Sequence, residues 1–304
     1  MRLLKLTNRK LEQLQKYREI LDLPAKIKWR ILNRINQCLG TKANSKSQRS
    51  DSENLGYSKY VARIISKPRK LANFRRPYVY RQILEHVNWE VGGLYLERFT
   101  TLGGNRTEIS QVADNDVIGH PRKYFYSNFG WLNPTQIRYL TVKQELENLF
   151  DMNSIETIGE IGCGFGGQFI AITRKFEVKE YHFYDLGTVQ QIIKFYISHF
   201  SFNSKIVFPD IHAVTPKSFD LVISNYAFSE LPKLVQMDYI NKILLNSRRG
   251  YMIMNSGDSN LTARGQGKIS LTEIQALLPW TKILREIPLT GPDNYVIYWD
   301  RTRE

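Results

Sequence analysis

The 304-residue sequence has little cysteine and no long apolar run. Its two cysteines, Cys38 and Cys163, lie in a basic segment and in a glycine-rich turn, so we expect no bridge between them and a reduced environment. No stretch approaches the roughly 18 apolar residues that a membrane span needs. The opening MRLLKLTNRK is basic but has no apolar run behind it, so we expect no secretory signal. The expected location is the cytoplasm.

Recognisable metal sites are missing as well. The five histidines have no zinc-ligand spacing, and two cysteines are too few for a structural zinc site. Clustered carboxylates, which Mg²⁺ or Ca²⁺ would need, do not follow the apolar run FDLVIS, where Ser224 and Asn225 stand instead. We therefore expect no metal.

Positive charge is unevenly distributed along the chain. The formal net charge is +14, and residues 1–80 hold 20 of the 43 Lys and Arg but 5 of the 29 Asp and Glu. That segment has a net charge of about +15, and the rest of the chain is nearly neutral. Such asymmetry favours an anionic partner, which would be a polyanion, a membrane surface or an anionic substrate.

Residues 1–56 are predicted to form a basic helical arm and a linker. The patterns indicate helices over 8–23 and 26–39, followed by a polar linker over 41–54. Along the second helix an apolar stripe lies beside a basic one: Ile27, Ile31, Ile35 and Lys26, Arg30, Arg34. Three interpretations stay open, namely a packed helix with a solvated face, an amphipathic helix on an anionic membrane, and a nucleic-acid contact.

Residues 57–130 show mixed signals and no recognisable fold. Short helical patterns, recurring aromatics and arginines, and a turn around residues 103–105 are present. We predict a lid or substrate-recognition region here.

Residues 131–304 alternate between strand and helix patterns. Asn133 and Pro134 are typical of a helix start, and that helix is predicted to run to about Phe150. The predicted strands are 154–161, 180–185, 205–209, 219–224, 250–255, 281–289 and 294–300, and the later helices are 167–175, 188–200, 236–246 and 271–277. This order predicts an α/β fold with a doubly wound, mostly parallel seven-stranded sheet. The last two strands, joined by a short turn, must be antiparallel.

The turn in TIGEIGCGFGGQF, residues 157–169, fits two cofactor patterns. Gly162, Gly164 and Gly167 satisfy the dinucleotide pattern, with Asp185 about twenty residues on. Gly162, Gly164 and Gly166 satisfy the pattern of proteins that bind S-adenosylmethionine (SAM). In both patterns the glycines allow a close backbone approach to the ligand, so the glycines alone do not decide.

Three neighbouring features favour SAM. Glu160 would repel a pyrophosphate but suits the cationic aminoacyl end of SAM. The helix after the turn has no phosphate-binding Lys or Ser/Thr arrangement, and no G-x-x-x-x-G-K-[ST] sequence occurs. A Rossmann dehydrogenase does not require the antiparallel strand pair.

Five segments carry a family resemblance over roughly residues 125–260: WLNPTQIRYLTVKQEL, EIGCGFGGQ, YDLGTVQQIIKFYI, FDLVISNYAFSEL and SRRGYMIMNSG. With them the chain resembles class I SAM-dependent methyltransferases and, more narrowly, a bacterial family of sugar O-methyltransferases. Phe165 stands inside the glycine turn, where that family usually has tyrosine or a similar aromatic residue. Asp185-Leu186-Gly187 stands where it usually has Asp-Leu-Pro; this departure keeps the ribose carboxylate, and the glycine is expected to loosen the turn. Residues 1–70 show no such resemblance.

The resemblance implies a SAM site. Glu160 would face the methionine end, Asp185 the ribose, Leu186 the adenine ring and Asp210 the adenine amino group. Asn225 would lie at the mouth shared with the acceptor. The full set of implied cofactor-binding residues is Glu160, Gly162, Gly164, Gly166, Gln168, Asp185, Leu186, Asp210, Asn225 and Tyr226.

Transfer to a sugar hydroxyl calls for a general base, since the hydroxyl is a poor nucleophile. Glu230 is the first candidate because it follows the fourth strand of the predicted fold by six residues. Asp258 and His212 are weaker candidates. For each of the three, an exposed or structural role is the competing interpretation.

The expected function is therefore methylation of a sugar hydroxyl, in a surface glycan or its lipid-linked or nucleotide-linked precursor. The basic arm would then contact the inner face of an anionic membrane. One alternative is an RNA methyltransferase that docks through residues 1–80, although no RNA-binding module is visible. Another is a binding protein on a retained methyltransferase scaffold. The Asn-Pro-Pro-Tyr mark of amino-group methylation is missing.

Overall fold

The computed structural model describes residues 57–77, 80–81, 84–85, 87–255 and 268–303, together with Gln15. The predicted arm helices and linker, apart from Gln15, lie outside the described residues, as does Asp258. Gln15 is helical and buried, and its Nε2 donates to the carbonyl of Phe125 at 3.2 Å.

The strands of the described residues, in chain order, are β1 Tyr124–Tyr126, β2 Gly130–Leu132, β3 Thr157–Ile161, β4 Glu180–Tyr184, β5 Lys205–Val207, β6 Leu221–Asn225, β7 Arg249–Met254, β8 Lys282–Arg285 and β9 Tyr295–Asp300. The helices are α1 Tyr57–Ile65, α2 Pro68–Leu71, α3 Trp89–Thr101, α4 Arg106–Ala113, α5 Pro134–Leu149, α6 Gly167–Thr173, α7 Gly187–Ile197, α8 Ala227–Glu230, α9 Lys233–Lys242 and α10 Leu271–Leu277. Short 3₁₀ turns occur at Asp114–Val117, Met152–Ser154, Leu244–Asn246 and Arg301–Arg303.

Seven strands form one sheet in the order β5-β4-β3-β6-β7-β9-β8. The first five are parallel, and β9 pairs antiparallel with both β7 and β8. This confirms the predicted seven-stranded sheet and its antiparallel closing pair. The strand order, with the reversed strand inserted beside β7, is that of the class I methyltransferase fold.

Helices cover both faces of the sheet. Successive residues of β6 point to opposite faces, with Ile223 in the core beneath α5, α6 and α7, and Val222 in the core beneath α9 and α10. Both faces of β3 and β6 are buried, which explains their continuous apolar sequence. Ligands of such sheets bind outside the carboxyl ends of the parallel strands.

A buried ion-pair cluster joins the region ahead of α5 to the sheet domain. Arg75 pairs with Glu85 and lies 3.6 Å from Asp116. Its Nη2 donates to Oδ1 of Asn133 at 2.9 Å, and its guanidinium lies 4.4 Å from the ring centre of Phe165. The same Asn133 side chain accepts from the backbone of α5 and caps it, as predicted.

The β1–β2 hairpin lies across the boundary placed at residues 130–131, and the proposed domain division stays a prediction.

Most predicted elements differ from the observed ones by at most three residues at either end, and two end four residues earlier than predicted. The helix placed at 236–246 is α9, which begins directly after Pro232 and ends before Ile243, whose φ of −123° leaves the helical region. The chain then continues as a 3₁₀ turn. The strand placed at 281–289 stops at Arg285 because Glu286 is buried and its carboxylate accepts from the Thr290 amide at 2.8 Å.

None of the described helices is long and apolar enough to cross a membrane.

Candidate functional site

A cavity of about 480 Å³ lies at the carboxyl ends of β3, β4, β5 and β6. Its volume lies in the range of small-molecule sites, roughly 300–1,000 Å³. Most of the residues predicted for the site line it: Glu160, Gly162, Gly164, Asp185, Leu186, Asp210, His212, Asn225, Tyr226 and Glu230. Gly166 and Gln168 lie behind this lining. The sheet thus brings together residues that are 70 positions apart in sequence.

The glycine-rich turn leaves β3 with three residues in the left-handed region. Gly162, Gly164 and Gly166 have φ values of 73°, 59° and 88°, a region that costs side-chain-bearing residues free energy. A side chain at Gly162 would also clash with its surroundings, because an added Cβ would lie 1.9 Å from the Cβ of Ala227. The close approach of β3 to α8 therefore requires glycine at this position.

Glu160 is a buried carboxyl group that faces the cavity. It is 1% exposed, and the hydroxyl of Tyr181 donates to its Oε2 at 2.7 Å. Burial raises the pKa of Glu160 to about 8; the Tyr181 hydrogen bond lowers it and the nearby Asp185 raises it. Glu160 forms no ion pair with any described residue.

Asp185 at the end of β4 holds the glycine turn in place. Its Oδ2 accepts from the amides of Cys163 at 2.7 Å and Gly164 at 3.2 Å, and its Oδ1 accepts from the amide of Leu186 at 2.8 Å. The carboxylate therefore ties the turn after β3 to the turn after β4. This structural role was not predicted from the sequence, and the ribose contact of Asp185 stays a prediction.

A chain of amide contacts lies behind the glycine turn. The Nδ2 of Asn225 donates to Oε1 of Gln168 at 3.3 Å, and Nε2 of Gln168 donates to the Tyr139 carbonyl at 3.2 Å. Gln168 is completely buried. It orients Asn225, which lines the cavity, and links α5, α6 and β6.

Tyr226 joins the sheet edge to the region ahead of it. It has a φ of 71° and leads directly into α8. Its hydroxyl lies 3.0 Å from the hydroxyl of Tyr95 on α3 and donates to Glu286. Tyr226 is thereby a fixed wall of the cavity at the end of β6.

The two candidate bases that the structure describes differ in surroundings. Glu230 ends α8, is partly buried, and accepts from Nδ2 of Asn255 at 3.1 Å. His212 has a side chain that is 63% exposed and lies 3.1 Å from Asp238. His212 follows β5 at the edge of the sheet, whereas Glu230 follows the central β6. The geometry therefore favours Glu230 over His212.

Several residues that line the cavity were not predicted from the sequence, and three of them come from ahead of β3. Arg138 and Tyr139 come from α5, and Leu84 comes from the region of unassigned fold. Both α5 residues lie in the first half of the predicted helix that precedes the first strand of the sheet, and no sequence pattern marks them as cavity residues. Asp210 accepts the amide of His212 at 2.9 Å and is exposed. Among the described residues there is no cluster of three metal-ligating side chains.

Comparisons with known proteins give similarity of fold at low sequence identity. No family model matches the sequence, and no curated protein matches it. Magnesium protoporphyrin IX methyltransferase from Synechocystis PCC 6803, solved with bound S-adenosylhomocysteine, is 14% identical with a TM-score of 0.41, over 54% of this chain and 81% of that one. A SAM-dependent methyltransferase from Clostridium acetobutylicum ATCC 824 is 10% identical with a TM-score of 0.40, over 51% and 87%.

WbdD, solved with a kinase inhibitor, is 10% identical with a TM-score of 0.39 over 52% of this chain, and the chain spans 40% of WbdD. These similarities concern the fold alone. The strand order β5-β4-β3-β6-β7-β9-β8 by itself identifies the sheet of this chain as a class I methyltransferase fold.

Proposed function

We propose that the protein is a SAM-dependent methyltransferase that acts on a sugar hydroxyl. The observation that carries the proposal is a buried carboxyl, Glu160, which faces the cavity directly before a left-handed glycine turn. A negative charge at this point attracts the α-ammonium group of SAM and repels the pyrophosphate of a dinucleotide. Asp185 and Leu186 line the same cavity after the next strand, where a nucleoside would lie.

The chemistry divides between cofactor and protein. When bound, SAM would supply a methyl group on a positively charged sulfur; an acceptor oxygen takes the methyl group as the carbon–sulfur bond breaks and the neutral thioether S-adenosylhomocysteine leaves. The protein's part is to hold an acceptor hydroxyl in line with that bond and to remove its proton. We assign the proton removal to Glu230, which lines the cavity after β6, and the positioning to Asn225 and Tyr226 at the same strand end.

The choice of a sugar acceptor rests on the resemblance of five segments to sugar O-methyltransferases. RNA is the alternative acceptor, and the net charge of about +15 over residues 1–80 favours it. The two acceptors can be separated directly. The protein is incubated with methyl-labelled SAM and with nucleotide sugars, lipid-linked sugars, surface polysaccharide and RNA in separate reactions. We expect label in a sugar fraction.

Label in RNA alone would contradict the sugar assignment and leave the methyltransferase assignment standing. Binding of S-adenosylhomocysteine without label in any fraction would support a binding protein on a methyltransferase scaffold. Absence of binding would contradict the cofactor itself.

We also propose a cytoplasmic protein with peripheral contact to an anionic membrane through its basic arm. The charge of residues 1–50 motivates this proposal. Deletion of these residues is expected to abolish co-sedimentation with vesicles that contain anionic lipid, and neutral vesicles serve as the control. Undiminished binding of the shortened chain to anionic vesicles would contradict it.

Ligand affinity is expected to rise with pH and then level off near pH 8. The pKa of Glu160 is raised to about 8, so below that pH the carboxyl is protonated and must release its proton when an ammonium group binds. Affinity should increase by up to about tenfold per pH unit below pH 8 and level off once Glu160 is ionised, until the ammonium group of the ligand loses its own proton at higher pH. Calorimetry with S-adenosylhomocysteine in two buffers of different ionisation enthalpy measures the released proton.

Two variants check this assignment. Glu160→Gln should remove both the pH dependence and the proton release. Tyr181→Phe removes the hydrogen bond that favours the ionised carboxyl, so the dependence should move to higher pH. Affinity of the wild-type protein that does not change with pH would show that Glu160 does not bind the ammonium group.

A further inference from the structure

Arg138 is a buried cation in the wall of the cavity. It is 5% exposed and lines the cavity together with Glu160, Gly162 and Tyr226. Its guanidinium carbon lies 5.4 Å from the ring centre of Tyr139 and 5.7 Å from that of Tyr226. Two aromatic rings therefore hold the guanidinium at the end of the cavity where β3 and β6 terminate.

This guanidinium forms no salt bridge with a carboxylate in the described part of the chain; it hydrogen-bonds to Tyr139, and it interacts with Glu85 only at longer range. Its Nε has no hydrogen-bond acceptor, although Arg138 is buried. Arg75 is equally buried but pairs with Glu85 and Asp116 and donates to Asn133. An unpaired charge out of water costs free energy, so a buried arginine is normally matched by an anion. At Arg138 the free Nε and the missing ion pair leave room for a carboxylate bound in the cavity.

Glu160, a buried titratable group that also lines the cavity here, is a carboxyl that carries the opposite charge once it is ionised. Arg138 and Glu160 both act on Tyr139, whose pKa burial raises to about 12, while Arg138 lowers it and Glu160 raises it. An α-amino acid carries an ammonium and a carboxylate on one carbon, so its recognition takes an anion and a cation side by side. Planar guanidinium groups suit carboxylates because they can donate two parallel hydrogen bonds.

We propose that Arg138 binds the carboxylate of the methionyl group of SAM, opposite Glu160, which accepts its ammonium; the proposal rests on the function proposed above. Arg138 is thus a cofactor-binding residue supplied by α5, outside the strands and turns that hold the nucleoside. Its role is to select ligands that carry the complete amino acid over nucleosides that lack it.

The test compares two ligands that differ by the carboxylate alone. S-adenosylhomocysteine carries both charged groups, and its decarboxylated counterpart, S-adenosyl-3-thiopropylamine, keeps the ammonium. By calorimetry we expect the wild-type protein to bind the first about 10- to 100-fold more tightly, as for a charge-assisted pair. Arg138→Met should remove most of this difference by weakening S-adenosylhomocysteine, with the decarboxylated ligand changed less than threefold. Arg138→Lys should restore part of it.

Each other outcome overturns the assignment. If the wild-type protein binds both ligands equally, the assignment is overturned before any variant is measured. Arg138→Met that weakens both ligands alike would indicate a role in shaping the cavity, and thermal unfolding would report the loss of structure. Unchanged binding of both ligands with slower methyl transfer would place Arg138 at the acceptor. Wild-type protein that binds neither ligand would overturn the proposed function together with this assignment.

Discussion

Replacement of Glu230 by glutamine is expected to lower kcat by about 10²- to 10⁴-fold, the usual contribution of a general base. Glutamine keeps the size of the side chain and an oxygen that can accept from Nδ2 of Asn255. It cannot take the proton of an acceptor hydroxyl. Affinity for S-adenosylhomocysteine should stay within about twofold, because Glu230 is assigned to the acceptor. Single-turnover methyl transfer to the labelled acceptor measures the effect.

His212→Gln is the matched control for this experiment. His212 lines the same cavity, but it is exposed and follows the edge strand β5. Its replacement should change kcat by less than about threefold, since surface substitutions away from the chemistry have small effects. A Glu230→Gln variant with undiminished turnover would remove Glu230 from the mechanism, and a large loss in His212→Gln would move the base to His212.

Gly162→Ala is expected to destabilise the fold by about 2–5 kcal/mol. One part, about 1–2 kcal/mol, is the cost of a left-handed backbone for alanine at a φ of 73°. The other part, about 1–3 kcal/mol, comes from overpacking against Ala227, whose Cβ would lie 1.9 Å away. Urea denaturation gives the change in the free energy of unfolding, and a constant m-value shows that both states are otherwise comparable.

Gly187→Ala provides the control for this substitution. Gly187 begins α7, has no positive φ, and has no neighbour within 4 Å of an added Cβ. Alanine there should change the free energy of unfolding by less than about 1 kcal/mol, in the stabilising direction. Adding Ala227→Gly to Gly162→Ala should recover the overpacking part alone. A double variant with no recovery would show that α8 does not restrict residue 162.

Local sequence patterns were enough to predict most of the sheet domain. The alternation of apolar runs and helical periods after Asn133 predicted seven strands, and the structure confirms all seven and their antiparallel closing pair. Helix ends were less certain, as α9 shows, because a backbone break such as that at Ile243 has no strong sequence mark. The region ahead of α5 gave no prediction of fold, since its helices are fixed by contacts with distant residues such as Tyr226.

The sequence by itself determined the fold class and the glycine turn, because strand alternation and left-handed turns are local properties of the chain. The tertiary structure decided which charges meet in the cavity. Arg138 lies in α5 and Glu160 in β3, yet both line the same cavity and both act on Tyr139. Asp185 was expected to serve the ligand, and the fold also uses it to fix the turn. Two groups of opposite charge become buried in one cavity only when the helices and strands that carry them pack together. Local sequence patterns do not specify that packing.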